Sequence, residues 1–571
     1  MKIQNTIERN TLILLSLLKQ HNIRYVIASP GATNVTFVAS VQNDSFFKVF
    51  SAVDERAAAY MACGLSEETG EVVVLSCTGA TASRNYIPGL TEAYKKHLPI
   101  LTVTASQYLG KTYHFSPQQI DRSVQSENIV KLSVQVPTVR TKEDEESTVT
   151  NINKAILELH HNCCGPVHLN MVTLYSNDFS IKEMPKYRTI KRVKEKNEFP
   201  IIPYKLKVAV FVGIHSVFDK ETENLIERFC EIYNAIVICD QTSNYRGKHR
   251  ILANLLNDQD TEFSSRNFDL VIHIGYVSGA YIRFNTKQVW RVNSDGEIRD
   301  TYRKLTYVFE IEEKDFFLNY VEGNTQNDSL LNECISQRKQ LEKNIPELPF
   351  SNLWIASYTA NKFPQNAVLH LGILNSLRSY NYFETPNTVS CYSNTGGFGI
   401  DGCVSSLIGA ALVNPEREYY GIVGDLAFFY DQNSVLTGIP SNVHLMVVNN
   451  GIGTEFKNYN HRCAFFGEDA NKFIAAKGHN GYKSEELLKN YAINVGMRYL
   501  SACTKDEYIN IFEQWIMPSK KPVVLEVFTS DKEESEALRA VTTLAVDRKK
   551  KIINKLKRTA LAKVLRMIIK R

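Results

Sequence analysis

Two short polar motifs in the last third of the chain each follow an apolar run that is typical of a buried strand. Gly424-Asp425-Leu426 follows Tyr419–Val423 and Asn449-Asn450 follows His444–Val448, which puts Asp425 and Asn450 25 positions apart. Ligands of open parallel sheets bind outside the carboxyl ends of the strands, so both motifs are expected at one crevice. Carboxylate and amide oxygens suit a Mg²⁺ ion that also holds a diphosphate, and the Ile452 carbonyl could complete the protein's ligands.

Each motif also has an ordinary structural interpretation. An Asp at a helix start is a common N-cap, and Asn-Gly is a common turn. Either motif alone would favour that interpretation, whereas the pair at this spacing favours a metal and diphosphate site.

A second candidate group lies near the start of the chain. Glu55, in Val53-Asp54-Glu55-Arg56, stands between a predicted strand, Lys48–Val53, and a predicted helix, Ala57–Ser66. The helix dipole favours an acid at a helix N-terminus, so the position by itself indicates only a helix start.

Together these residues resemble the thiamine diphosphate-dependent enzyme family that includes acetolactate synthase and pyruvate decarboxylase. The metal and diphosphate motif of that family, G-D-X followed after an interval by N-N, is matched by Gly424-Asp425 and Asn449-Asn450. The resemblance implies that Asp425, Asn450 and the Ile452 carbonyl bind Mg²⁺, with Gly424 and Leu426 also at the cofactor. It also implies that Glu55 hydrogen-bonds the aminopyrimidine ring and promotes formation of the ylide, the electron sink of thiamine diphosphate.

Four further residues take their predicted roles from the same resemblance. Gln118 matches a family glutamine that faces the thiazolium ring. Ile400 matches the bulky apolar residue that bends the cofactor into its V shape, and Gly399 beside it is also predicted to lie at the cofactor. His114 stands alone where decarboxylases of the family often have a His-His pair, and it suits a structural role as well as acid–base catalysis.

Within the family, the motifs are most similar to the SEPHCHC synthase branch of menaquinone biosynthesis. Ser29-Pro30-Gly31 and Gly399-Ile400-Asp401-Gly402 both match its pattern. That branch has arginines for substrate carboxylates at positions where this chain has Thr33 and Thr395. Threonine lacks both the charge and the planar fork of arginine, so the resemblance implies the same cofactor chemistry with a changed substrate site.

A third arginine of that branch falls where Tyr380 stands, although Arg378 lies two residues earlier. The predicted substrate-site residues are Thr33, Arg378, Thr395 and Phe456.

The elements that must position these residues form three successive α/β blocks. Continuous apolar runs such as Val208–Val212 and Val523–Val527 are typical of buried parallel strands, and helical segments separate them. The sequence therefore predicts an α/β protein with three doubly wound parallel-sheet domains. The predicted boundaries are 1–178 for a pyrimidine-binding domain, 179–207 for a linker, 208–345 for a central domain, 346–544 for a diphosphate- and Mg²⁺-binding domain and 545–571 for a basic tail.

Composition and charge exclude several classes of protein. The 571 residues are 44% hydrophobic and 22% charged, as in globular proteins, and no stretch resembles a spanning helix. The 11 cysteines include no CxxC pair, which favours reduced thiols in a cytoplasmic protein. Residues 547–571 carry a net charge of +10 and the rest of the chain −5, so a nucleic-acid partner is not indicated.

The tail is predicted to be a basic amphipathic helix, because its apolar residues recur every four positions. Such a helix can lie on an anionic membrane surface, which would make the protein a peripheral membrane protein. A helix that docks on a neighbouring subunit and a solvated end are the alternatives.

The leading functional hypothesis is a thiamine diphosphate- and Mg²⁺-dependent carboligase. It would decarboxylate a 2-oxo acid and transfer the resulting acyl carbanion to an acceptor that the sequence does not identify. The alternatives are a simple 2-oxo acid decarboxylase and a cofactor-binding subunit without catalytic activity. The resemblance also implies that each active site pairs the first block of one subunit with the third block of another, so a homodimer or homotetramer is expected.

Overall fold

The computed structural model describes residues 4–323, 325–478 and 485–545. Within them lie three β-sheets whose strands run parallel, with helices between successive strands. The predicted fold class, three α/β domains with parallel sheets, is thereby confirmed. The predicted basic tail lies outside the described residues from residue 546 onward.

The first sheet has six strands in the order β2-β1-β3-β4-β6-β5. Its strands are β1 (Tyr25–Ala28), β2 (Lys48–Ser51), β3 (Val73–Cys77), β4 (Ile100–Ser106), β5 (Leu132–Val136) and β6 (Val167–Val172). The accompanying helices are α1 (Arg9–Gln20), α2 (Val35–Gln42), α3 (Glu55–Thr69), α4 (Thr81–Asn85), α5 (Ile87–Lys95) and α6 (Lys142–Glu158).

The second sheet has seven strands in the order β10-β9-β8-β11-β12-β13-β7. Its strands are β7 (Lys191–Val193), β8 (Val208–Val212), β9 (Ile236–Cys239), β10 (Arg250–Leu252), β11 (Asn267–Ile274), β12 (Asn285–Val292) and β13 (Leu305–Phe309). The helices of this part of the chain are α7 (Lys220–Tyr233), α8 (Asn254–Asn257), α9 (Glu313–Leu318) and α10 (Ser329–Lys343).

The third sheet has six strands in the order β15-β14-β16-β17-β19-β18. Its strands are β14 (Val368–Leu371), β15 (Ser390–Tyr392), β16 (Tyr419–Gly424), β17 (Val443–Asn449), β18 (Arg498–Ala502) and β19 (Val523–Phe528). The helices are α11 (Asn352–Thr359), α12 (Asn375–Tyr380), α13 (Cys403–Ala411), α14 (Asp425–Tyr430), α15 (Glu485–Asn494), α16 (Lys505–Ile516) and α17 (Asp531–Thr542).

Burial explains why the inner strands are so apolar. Every residue of β3, β4, β6, β17 and β19 is buried, because helices cover both faces of a parallel sheet. The edge strands β2 and β5 are mostly half-buried or exposed, and their sequences are correspondingly mixed. In the third sheet, one core forms on each face, around Trp515 on one side and Phe428 on the other.

The chain divides into two compact units. The first contains Met1–Glu198 and Asp295–Glu310, and the second contains Phe199–Ser294 and Ile311–Arg571. The segment 179–207, predicted as a linker, contains β7, which pairs with β13 through Tyr307 and Lys191. The predicted domain boundaries stay predictions, since the two units cut the chain differently.

The described part of the chain has no helix whose length and apolar content would let it cross a membrane.

Candidate active site

The predicted metal and diphosphate motifs come together at the carboxyl end of the third sheet. Strands β16 and β17 are parallel neighbours, with Gly424 opposite Val448. Asp425 begins α14 directly after β16, and the chain turns after β17 with Gly451 at φ +68°. The Gly451 N–H donates to Asp425 Oδ2 at 3.0 Å, which ties the two motifs to each other. The spatial pairing predicted from the 25-residue spacing is therefore present.

Asp425 is a buried carboxylate that has few protein partners. Its side chain is 2% exposed, and burial raises its pKa to about 7. A Cβ placed on Gly424, the residue before it, would meet no atom within 4 Å, so the backbone at Gly424 faces open space. A cation bound by the Asp425 carboxylate would offset the cost of burying its charge, so the residues fit a Mg²⁺ ion.

The two asparagines have different roles: Asn449 holds neighbouring strands together, and Asn450 lies at the predicted metal site. Asn449 is buried, and its Nδ2 donates to Glu526 Oε1 at 2.6 Å, which fixes the end of β17 to β19. Asn450 is only half-buried, and its Oδ1 accepts a 3.4 Å hydrogen bond from Ile452 N. The Asn450 amide oxygen and the Ile452 carbonyl thus belong to one tight turn beside Asp425. Among residues 4–323, 325–478 and 485–545, no group of three His, Cys, Asp or Glu side chains could hold a metal ion. The predicted ligands are of another kind, namely one carboxylate, one amide oxygen and one backbone carbonyl.

The predicted cofactor-bending residue lies on a loop that leads into α13. Ile400 is half-buried and packs against the core formed by Val404 and Phe428. A Cβ on Gly399 would stand 2.1 Å from Asp401 Oδ1, so a larger residue there would require the exposed Asp401 side chain to move. The loop is held by Asn394 Nδ2, which donates to the Gly402 carbonyl at 3.0 Å.

Two of the predicted substrate residues of the second unit are engaged within the protein. Thr395 is 1% exposed, and its hydroxyl donates to the Val277 carbonyl at 3.4 Å. Arg378 forms a bidentate ion pair with Glu455, at 2.6 and 2.9 Å. Because Glu455 already neutralises this guanidinium, Arg378 is a weak candidate for binding a substrate carboxylate.

Around this ion pair lies a polar cavity of about 360 Å³. Its wall includes Arg378, Glu455, Asp258 and Tyr459. Phe456 follows Glu455 and makes an edge contact with His461, at 5.5 Å between the ring centroids.

In the first unit, Glu55 is the first residue of α3, but it does not cap that helix. The capping is done by Asp54, whose carboxylate accepts from the backbone N–H groups of Arg56 and Ala57. The half-buried Glu55 carboxylate instead accepts a 3.2 Å hydrogen bond from Asn85 Nδ2, at the end of α4. Because its neighbour supplies the cap, Glu55 is available for the predicted contact with the aminopyrimidine ring.

Gln118 and His114 lie on the loop that follows β4, and both are exposed. Three non-glycine residues of this loop have positive φ, namely Tyr113 at 70°, Phe115 at 52° and Gln118 at 63°. Such angles are costly for residues with a Cβ, so the loop is held in a strained shape.

Thr33 follows β1 at the same edge of the first sheet and is 4% exposed. Its hydroxyl hydrogen-bonds the Thr78 hydroxyl and donates to the Ala105 carbonyl at 3.3 Å. The first unit therefore brings Thr33, Glu55 and Gln118 to the carboxyl ends of its strands.

Several residues of these sites were not predicted. Asn85 and Glu526 hold Glu55 and Asn449 in place, and Glu455 neutralises Arg378. None belongs to a motif, and their partners are distant in sequence. The weak available signal was a Glu inside the apolar run Val523–Val527, because a buried acid in a parallel strand needs a polar partner.

Comparison with known proteins identifies a family domain in the first unit. Residues 11–125 match the model of the thiamine pyrophosphate enzyme N-terminal TPP-binding domain. This range contains Thr33, Glu55, His114 and Gln118.

The chain is also similar over most of its length to proteins named 2-succinyl-5-enolpyruvyl-6-hydroxy-3-cyclohexene-1-carboxylate synthase. The relative from Bacteroides thetaiotaomicron is 24% identical, with 93% of this chain and 98% of the relative covered. Those from Phocaeicola vulgatus and Christiangramia forsetii are each 26% identical, with 93% and 92% of this chain and 97% and 96% of the relatives covered.

Proposed function

Since this chain is a thiamine diphosphate-dependent enzyme of the kind that forms carbon–carbon bonds, we propose that it decarboxylates a 2-oxo acid and joins the remaining acyl group to an acceptor, with Mg²⁺ as the second cofactor. The observation that carries this proposal is the tie between Asp425 and the Asn449-Asn450-Gly451 turn. It supports a metal and diphosphate site in a chain that is similar to carboligases over most of its length.

In the proposed reaction the second unit anchors the cofactor. Asp425, Asn450 and the Ile452 carbonyl would hold Mg²⁺, and the open space beside Gly424 would admit the diphosphate. When bound, thiamine diphosphate supplies a thiazolium carbon that takes up the electron pair released with CO₂ and returns it to the acceptor. Ile400, packed on the core, would give the bound cofactor a rigid support.

The first unit would supply the proton chemistry. Glu55 would hold a proton between its carboxylate and a ring nitrogen of the aminopyrimidine, and the Asn85 amide keeps that carboxylate oriented. Gln118, on the exposed loop, is proposed to face the reacting centre. His114 lies on the same loop and is exposed, and no contact in the described residues gives it an acid–base partner.

The carboligase is favoured over the simple decarboxylase by the relatives. Their name describes a product in which a succinyl group is attached to a cyclohexene carboxylate. By analogy we propose that the donor of this chain is a 2-oxo acid and that its acceptor is a small carboxylic acid. A homodimer or homotetramer, a cytoplasmic location and a membrane contact through the tail remain predictions.

One assay tests the reaction class. The full chain, loaded with thiamine diphosphate and Mg²⁺, is incubated with a panel of 2-oxo acids, with and without unsaturated carboxylic acid or aldehyde acceptors. CO₂ release and the product mass are then measured. We expect a product whose mass equals donor minus CO₂ plus acceptor. Release of CO₂ with only the aldehyde of the donor would identify a decarboxylase, and no turnover with any donor would favour a noncatalytic subunit.

A further inference from the structure

The first unit buries an arginine for which the described chain offers no counter-charge. Arg122 is 4% exposed and follows the strained loop that carries Gln118. Its guanidinium lies at the end of β4, where Nη2 donates to the Ala105 carbonyl at 3.0 Å and to the Ser106 hydroxyl. Nε and Nη1 are buried as well, and neither has a hydrogen-bond partner.

A buried cation in this condition is energetically unfavourable. Within residues 4–323, 325–478 and 485–545, no carboxylate forms an ion pair with Arg122, and burial lowers the pKa of its guanidinium. A buried charge without a partner destabilises a fold by several kcal/mol, so native proteins pair such groups. An anion that arrives from outside the chain would provide the missing partner.

The surroundings of Arg122 are those of the candidate site. The Ala105 carbonyl accepts from both Arg122 and the Thr33 hydroxyl, so the guanidinium lies next to Thr33, one of the predicted substrate-site residues. Nη1 faces Gly79, where an added Cβ would stand only 3.0 Å away.

We propose that Arg122 is a specificity-determining residue that binds a carboxylate which the substrate retains through the reaction. It would supply a guanidinium from the loop after β4, next to Thr33. This inference rests on the proposed carboligase function and adds a residue to it.

The carboxylate in question is the distal one of the donor rather than the one that leaves. A cation that held the departing carboxylate would stabilise the ground state and slow the loss of CO₂. A second carboxylate of a dicarboxylic 2-oxo acid keeps its charge throughout, and a buried guanidinium would bind it in both the ground state and the transition state.

The loop that carries Gln118 lies beside the guanidinium. The Gln118 carbonyl stands on the same side of Gly79 as Nη1, at 3.4 Å from the added Cβ. The positive φ of Tyr113, Phe115 and Gln118 marks this loop as strained, and Phe115 is fully exposed. Binding of the substrate would shift the loop and let the carboxylate meet Nη1.

The test compares Arg122→Gln and Arg122→Lys with Arg140→Gln, an exposed arginine of the same domain. For each holoenzyme, kcat/KM is measured with 2-oxoglutarate and with 2-oxopentanoate, a monoacid of the same chain length. For Arg122→Gln we expect a fall on the order of 100-fold for the dicarboxylic donor and a change of only a few-fold for the monoacid. Arg122→Lys should give an intermediate ratio, and Arg140→Gln should match the unmodified chain.

Binding of glutarate, measured by its inhibition of the monoacid reaction, gives a second readout. In Arg122→Gln, glutarate binding should weaken by about the same factor as the ratio of kcat/KM for 2-oxoglutarate to kcat/KM for 2-oxopentanoate. Equal losses for both donors, or an unchanged ratio with full glutarate inhibition, would overturn the role of Arg122. If Arg122→Gln still forms product from the monoacid donor but binds the acceptor more weakly, Arg122 binds a carboxylate of the acceptor, and its assignment to the donor is wrong. Failure of the unmodified chain to release CO₂ from any 2-oxo acid would instead overturn the proposed function.

Discussion

The backbone N–H of Gly451 donates a 3.0 Å hydrogen bond to Asp425 Oδ2, which joins the ends of two neighbouring strands through one carboxylate oxygen. The same carboxylate is the main predicted ligand of Mg²⁺. Asp425 therefore also holds the turn that carries the other predicted ligands, Asn450 and Ile452.

Asp425→Ala should abolish tight cofactor binding. Loss of one partner of a buried charge interaction costs about 2–5 kcal/mol, which corresponds to roughly 30-fold to several thousand-fold in affinity. Calorimetric titration with thiamine diphosphate, with and without Mg²⁺, measures this effect. Asp506→Asn, at an exposed acid in the first turn of α16, is the control and should bind normally. Tight cofactor binding by Asp425→Ala that does not depend on Mg²⁺ would refute the metal site.

Glu55→Gln should keep cofactor binding and lose turnover. The amide retains the shape of the side chain but cannot exchange a proton as the carboxylate does, so kcat should fall about 10²–10⁴-fold. Asp54→Asn is a matched control, because asparagine caps helices as well as aspartate does. Steady-state kinetics and cofactor titration of both variants test the assignment. If Glu55→Gln were as active as Asp54→Asn, Glu55 would have only a structural role at the start of α3.

Subunits that carry different defects should complement each other. If each active site combines Glu55 of one subunit with Asp425 of another, a mixed dimer of Glu55→Gln and Asp425→Ala subunits keeps one intact site. Random assembly of equal amounts should then restore about a quarter of the full activity. Coexpression with two affinity tags isolates the mixed species for assay. An inactive mixed species, or a fully active monomer by light scattering, would contradict the shared site.

Stability should depend on pH through Glu534, which is buried and accepts hydrogen bonds from Asn352 and Thr529. Burial raises the pKa of Glu534 from 4.5 to about 7. The folded state therefore holds a proton between these values that the unfolded state has lost. The free energy of unfolding should decrease as pH rises from 4.5 to 7, by an amount on the order of 3 kcal/mol from this group.

Urea unfolding of the unmodified chain and of Glu534→Gln across this pH range tests that expectation. The free energy of unfolding of the unmodified chain should fall relative to that of Glu534→Gln from pH 4.5 to 7 and then stay at a constant offset, since the glutamine does not titrate. Glu536→Gln, at an exposed acid of the same helix, should follow the unmodified chain. Parallel profiles for all three proteins would show that the pKa of Glu534 is the same in the folded and unfolded states.

The tail can be removed without disturbing its attachment point. Ala545 is held by Gln259 and Thr261, with hydrogen bonds of 3.1 and 2.9 Å, so a truncation should end at Ala545. Residues beyond it carry the predicted basic amphipathic helix. The full chain should sediment with anionic vesicles at low salt, and the truncated chain should not, while its turnover is unchanged. Equal sedimentation of both chains would contradict the membrane interpretation.

The sequence predicted most accurately the strands that are buried on both faces of a sheet. Buried strands such as β8 and β19 were found within a residue or two of their predicted positions, because burial on both faces requires continuous apolar runs. The edge strands β5 and β18 were not predicted, since half-exposed strands tolerate mixed sequences.

The candidate site divides in the same way. Asp425 and Asn450 could be predicted because each directly follows a recognisable strand. The burial of Arg122 depends on how a long loop folds over β4, and its partner carbonyl lies 17 residues away in sequence. The Glu455 partner of Arg378 also comes from a different loop, 77 residues further along the chain. Periodicity and motif spacing do not encode contacts of this kind.

Strand β7 constrains how this protein could be dissected or recombined. Because Lys191–Val193 pairs with β13 although it precedes β8 in sequence, a central domain excised at residue 208 would leave Tyr307 and its neighbours with an unpaired edge. Unpaired edges promote aggregation, so such a fragment would be poorly behaved. A chimera that exchanges the central domain for that of a relative should therefore place its junction before Lys191. Strand β7 is then exchanged together with β13, the strand with which it pairs.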